Sequence, residues 1–96
     1  MPAVTRVGDS EISHCSGMTR AQGSGNVFCN DKPVSREGDK NTVHKYPVGD
    51  KCPAHSTTIS QGSTTVFVNG NNGIGRVGDP TCTSVSGGSS NVFAGG

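Results

Sequence analysis

The chain has 96 residues, of which 29% are apolar, with fifteen glycines, five prolines, no tryptophan and a net charge of +1. That is room for one small domain, 1–96, with so few large side chains that a metal, a disulfide or a partner subunit is needed to hold its shape. Near-neutral charge, scattered Lys and Arg and scarce aromatic side chains exclude a nucleic-acid-binding face, and no apolar run reaches membrane-spanning length.

The amino terminus, Met1-Pro2-Ala3-Val4, lacks the basic start and apolar run of a secretion signal, so the chain is expected to be made in the cytoplasm. In a reducing compartment, four cysteines mixed with three histidines point to metal ligation rather than to a disulfide framework.

Two phrases alternate along the chain. Arg6-Val7-Gly8-Asp9 comes first, then a segment with His14, then Gly23-Ser24-Gly25-Asn26-Val27-Phe28. Asn26 to Cys29 is predicted to be a strand, Asn30-Asp31 a tight turn, and Val34-Ser35-Arg36 the returning strand. Arg36-Glu37-Gly38-Asp39 restarts the pattern. Lys40 to Asp50 follows as an insertion between two Gly-Asp turns, carrying His44 and then Tyr46-Pro47-Val48-Gly49-Asp50.

The second unit continues through Cys52 and His55 to Gly62-Ser63-Thr64-Thr65-Val66-Phe67. Thr65 to Val68 is its predicted strand, Asn69-Gly70 its turn and Ile74-Gly75-Arg76 its return. Arg76-Val77-Gly78-Asp79 opens a third unit, which carries Cys82 in place of a histidine, reaches Gly88-Ser89-Ser90-Asn91-Val92-Phe93 and stops at Ala94-Gly95-Gly96. Nothing has helical periodicity over three turns, although Thr42 and Thr83 could each sit in a single turn. The reading is all-β: short hairpins that must pack on one another to make a core.

Asp9, Asp39, Asp50 and Asp79 are read as turn residues bonding their own backbone. Arg6, Arg36 and Arg76 are placed as exposed partners of such carboxylates, contributing little to stability. His14, His55 and Cys82 occupy comparable segments, and an arrangement around a pseudo-threefold axis would bring them together. His44, from the insertion, completes a four-ligand N/S set, which describes a structural zinc site, with iron as the second choice. Cys52 competes with Cys82 through Cys52-Pro53-Ala54-His55, but a metal tying distant segments favours Cys82. Cys15 and Cys29 are read as free, small and at least half-buried.

Taken together these residues resemble the PAAR-repeat family. Pro33-Val34-Ser35-Arg36 and Gly73-Ile74-Gly75-Arg76 stand where that family has Pro-Ala-Ala-Arg, although both depart from the literal motif. Val66-Phe67-Val68-Asn69-Gly70 and Arg76-Val77-Gly78-Asp79 match the pattern closely, and His14, His44, His55 and Cys82 resemble its metal site. The resemblance implies a small cone of three pseudo-threefold β-hairpin repeats with a metal near the vertex. It further implies a bare tip, one per trimer, on the β-helical spike of a phage tail or a type VI secretion system, in transient contact with a target outer membrane. An enzyme is not expected, because four protein ligands leave no open metal position and no small-molecule substrate site. A zinc-binding interaction module unrelated to a spike is the alternative, ahead of a small zinc hydrolase.

Overall fold

In the computed structural model, residues 1–45 and 52–96 are described. They contain no helix, Thr42 and Thr83 included, and the molecule measures 41 × 25 × 22 Å. Two antiparallel hairpins carry its regular strands: β1 (Phe28–Cys29) pairs with β2 (Lys32–Pro33), and β3 (Phe67–Val68) with β4 (Asn72–Gly73). The first turn is a two-residue loop with Asn30 at φ 53° and Asp31 at φ 67°. Both values are positive, as a tight I′ turn matched to strand twist requires. The second loop is one residue longer, with Asn69 at φ 56° and Gly70 at φ 102°.

A third pairing closes the pattern, and the amino terminus supplies it. Ala3 bridges Phe93, as Pro33 pairs Phe28 and Gly73 pairs Phe67. Val4 N donates to Val92 O at 2.9 Å, where Val34 N meets Val27 O at 3.1 Å and Ile74 N meets Val66 O at 2.9 Å. The third unit, which ends in sequence just past Phe93, is therefore completed in space by Pro2-Ala3-Val4.

The expected returning strands, Val34–Arg36 and Ile74–Arg76, leave their own hairpins and pair with each other and with the amino-terminal segment. Arg6 bridges Val34, Arg36 bridges Ile74, and Val4 bridges Arg76. At the centre the bonds run in a closed ring: Thr5 N to Gly75 O at 3.0 Å, Gly75 N to Ser35 O at 2.8 Å, and Ser35 N to Thr5 O at 3.1 Å. Short segments thus satisfy their backbone groups on one another with no free edge between them. Val4, Cys29, Val34, Val68, Ile74 and Ala94 form one buried apolar cluster, and Met18, Ile59 and Val85 are buried as well.

Both repeated phrases have a steric reason. A Cβ on Gly23, Gly62 or Gly88 would land 2.6, 2.5 or 2.9 Å from the carbonyl oxygen of Val34, Gly73 or Val4. Only glycine allows the backbones so close. The serine that follows each one is buried, and its Oγ accepts from a backbone N–H three residues on: Ser24 from Val27 at 2.9 Å, Ser63 from Val66 at 2.9 Å, and Ser89 from Val92 at 3.0 Å. Gly8, Gly38 and Gly78 hold φ of 93°, 89° and 93°, a region disfavoured for residues with a Cβ.

The aspartate after each of these turns takes a bond at 2.8 Å from the backbone N–H of the arginine three residues before it. The same arginine grips the carboxylate with Nε and Nη2 in all three turns. The pairs are less exposed than the sequence suggested, since Asp9, Asp39 and Asp79 are buried. Their carboxylates, through these side-chain bonds first, raise the Arg6 and Arg36 pKa values above the ordinary range. The fourth Gly-Asp, at Asp50, lies outside the described residues.

Beyond the turns, three arms of unequal length run away from the core. The first carries the bridges Ser10–Thr19 and His14–Ser16, the second Lys40–Thr58 and His44–His55, and the third only Pro80–Ser84. In the hairpins and the third pairing, Val27, Phe28, Val66, Phe67, Val92 and Phe93 are exposed by 37–57%.

Candidate metal centre

The arms decide where the ligands go. His14 lies five residues past Asp9 and His44 five past Asp39, so these two hold the equivalent positions. The sequence had instead paired His14 with His55 and set His44 on a separate inserted loop. In the structure His44 is on the outgoing limb of the second arm, directly opposite His55 on the return, with backbone bonds of 2.9 and 3.0 Å between them. The remainder of the inserted segment, Tyr46 to Asp50, lies outside the described residues.

One donor atom each from His14, His44, His55 and Cys82 comes together, all within 4.8 Å of one another. His14 Nε2 is 3.0 Å from His44 Nε2 and 3.2 Å from His55 Nε2, and Cys82 Sγ is 3.4 Å from His44 Nε2. The edges of a tetrahedron built on ordinary zinc bond lengths are about 3.3 Å between nitrogens and about 3.6 Å between nitrogen and sulfur. The observed separations approach both.

The hydrogen bonds around the rings strengthen the case. His44 Nδ1 lies 2.8 Å from Thr42 O and His55 Nδ1 2.8 Å from Pro53 O. A carbonyl can only accept, so both Nδ1 atoms carry a proton, and Nε2 is the ring atom that a neutral His44 or His55 offers as a ligand toward the same point. Converging lone pairs repel unless a cation sits between them, and a ligating imidazole oriented by a carbonyl behind it is the usual outer-shell arrangement. The residues fit a metal. His14 has its pKa lowered, first by desolvation and then by repulsion from His44 and His55, which favours its neutral, ligating form.

Cys52 is not in this set. It forms a disulfide with Cys15, their Cα atoms 6.0 Å apart. This corrects the expectation that Cys15 is free and that the cysteines avoid disulfides. The cause is geometric, because the convergence of His14 and His55 brings their neighbours Cys15 and Cys52 to the same place. Cys29 is free and buried, as its composition suggested, and Cys82 is free and exposed.

Below the four ligands lies a buried polar network that the sequence reading missed. Arg20 and Glu11 form an ion pair of 2.7 Å with both side chains fully buried. Arg20 Nε donates to Ser35 Oγ at 3.0 Å, and its Nη2 donates to the carbonyl of Asp39. Glu11 Oε1 accepts from Asn41 Nδ2 at 3.1 Å and from Thr81 Oγ1 at 2.8 Å. Glu11, Asn41 and Thr81 each lie two residues past a Gly-Asp aspartate, so three equivalent side chains meet at one carboxylate oxygen. Asn41 Nδ2 also approaches Cys82 Sγ at 3.8 Å, and buried Met18 lies against the same sulfur, Sδ to Sγ 3.8 Å. The signal available in the sequence was Arg20 itself, which stands where the other units carry Ile59 and Val85.

Among the described residues no helix is long and apolar enough to cross a membrane, and no concave pocket is present to hold a small substrate. Compared with known protein families and with curated proteins, the sequence matches none.

Proposed function

We propose that this chain is a PAAR-type tip: a conical cap on the trimeric β-helical spike of a contractile injection machine, with a structural zinc, or iron, near its vertex. The observation that carries the reading is the closed ring of Thr5, Ser35 and Gly75, around which one chain repeats the same bonds three times. A protein of that form presents three equivalent faces to a threefold partner, whereas an ordinary monomeric module has no reason to. The exposed Val-Phe pairs at 27–28, 66–67 and 92–93 offer each subunit the same apolar contact. Adjacent short strands can extend the partner's strands and cover their unpaired edges. The arms that carry the metal ligands form the vertex on this reading, and cross-linking them stiffens the point that would meet an outer membrane. On this reading the chain is made in the cytoplasm and carried at the outer end of a virion tail or a type VI secretion spike.

The test is co-expression with trimeric β-helical spike proteins of both machine types, reading complex mass by native mass spectrometry. One tip per trimer, lost when Phe28, Phe67 and Phe93 are all changed to Asp in a chain that still folds, is the expected result. A monomer that ignores every spike, or a complex untouched by the triple change, would sink the proposal and leave a zinc-binding module.

A further inference from the structure

Cys15 and Cys52 are not needed by the four-ligand centre, yet they stand against it. Cys15 Sγ is 3.3 Å from His14 Nδ1, and Cys52 Sγ is 4.0 Å from His55 Nδ1. The donor atoms of His14, Cys15 and Cys52 lie within 4.8 Å of one another, and all three residues are half-buried. The ring nitrogens behave differently on this side. Nδ1 of His44 and of His55 is committed to a backbone carbonyl, whereas among the described residues the partner of His14 Nδ1 is the Cys15 sulfur. The backbone holds that pairing: Cys15 adopts φ 64°, unusual for a residue with a side chain, and Ser16 N donates to His14 O at 2.6 Å.

We propose that Cys15, Cys52 and His14 Nδ1 form a second site, for a thiophilic d10 cation such as Zn2+, Cd2+ or Cu+, and that the disulfide is its oxidised, closed form. The site opens when the S–S bond is reduced, either by two thiols, which become a disulfide, or by a phosphine with one water, which become the phosphine oxide; two electrons and two protons reach the sulfurs and two protein thiols result. Cation binding then releases both thiol protons to solvent, leaving two thiolates that neutralise Zn2+ or Cd2+ and hold Cu+ in a site of net charge −1. With Nε2 facing the first centre and Nδ1 the second, His14 gives up its ring proton and bridges two cations. Two soft sulfurs and an imidazole suit this class of ion over Mg2+ or Ca2+, which prefer oxygen. The 3.3 Å between Nδ1 and Sγ is close to the spacing of two donors on one zinc, about 3.6 Å. A protein assembled in a reducing compartment would carry two cations, and one that has met an oxidant would carry one cation and a covalent clamp.

The test is an anaerobic titration of metal-free protein with Cd2+, in oxidised and phosphine-reduced forms, with free thiols counted beforehand. Native mass spectrometry reads the stoichiometry, and thiolate-to-cadmium absorption reads the number of bound sulfurs. Oxidised protein should take one Cd2+ with one thiolate, and reduced protein two with three thiolates. Cys52→Ser, which can neither form the disulfide nor complete the second site, should take one in either form. A single equivalent in reduced folded wild type, or a second equivalent that survives in Cys52→Ser, would overturn the proposal. The first equivalent, read on oxidised protein, reports separately on the four-ligand centre. That centre can therefore fail without this one, and the reverse.

Discussion

Removing the Glu11 carboxylate should be among the most damaging single changes to the core of this protein. In Glu11→Ala, Arg20 keeps its bonds to Ser35 Oγ and the Asp39 carbonyl but loses its carboxylate partner, while Asn41 Nδ2 and Thr81 Oγ1 lose an acceptor. A buried charge stripped of its partner costs about 3–5 kcal/mol. In a domain of this size each kcal/mol moves the midpoint by roughly 4–8 °C, so the melting temperature should fall by roughly 12–40 °C. The measurement is thermal and urea unfolding of metal-free protein, which separates the network from the metal. A buried ion pair adds little net stability over apolar residues of similar volume, and the equivalent positions of the other units do without one. Arg20 stands where Ile59 and Val85 stand, and Glu11 where Thr81 stands. Glu11→Thr combined with Arg20→Ile should therefore recover most of the loss, because it removes the unpaired charge along with its partner. A loss under about 1 kcal/mol for Glu11→Ala, the range of a solvent-exposed pair, would refute the claim that Arg20 is locked in the interior. A double variant no better than the single would refute the repeat equivalence.

Further expectations follow from the arms and turns. Chelation, or His44→Ala, should release the metal and lower the melting temperature, whereas Cys29→Ser should leave metal content unchanged when read by elemental analysis. Metal-free protein should lose stability as pH falls from the ordinary histidine value of 6.5 through the lowered value of His14; the unfolded chain binds more protons in that window, so stability rises with pH there. A flat profile in His14-dependent unfolding would count against that environment. Gly73→Ala drives a Cβ into the carbonyl oxygen of Ser63, and the backbone shift should cost about 1–3 kcal/mol in urea unfolding. Reducing the Cys15–Cys52 link, which spans 37 residues, should cost about 4 kcal/mol in metal-free protein on the chain-entropy view.

Much of the architecture was legible in the chain because its constraints are local. A left-handed turn needs Gly8, Gly38 and Gly78, and a backbone-to-backbone approach needs Gly23, Gly62 and Gly88, so those residues recur visibly. Turn chemistry at Asn30-Asp31 and Asn69-Gly70 is likewise written in neighbouring residues, and so is the all-β character. The grouping of His14, His44, His55 and Cys82 could be expected from repeat position and from a core too small to stand alone. Their route there could not, because it depends on which limb of which arm each occupies. His44 and His55 meet across an arm whose pairing is set by backbone bonds between residues eleven apart in sequence.

Three features were decided by tertiary structure alone. Pro2-Ala3-Val4 completes the third hairpin because the ring of Thr5, Ser35 and Gly75 closes only when the amino terminus returns to the last repeat. Cys15 and Cys52 join because two arms converge, a proximity that no spacing along the chain records. Arg20 and Glu11 tolerate burial because Ser35, Asp39, Asn41 and Thr81, drawn from distant segments, satisfy them. What a chain determines by itself is the conformation that each residue and its near neighbours can adopt. Which distant groups share a point, and hence which charges, sulfurs and rings act together, is settled only when the segments are packed.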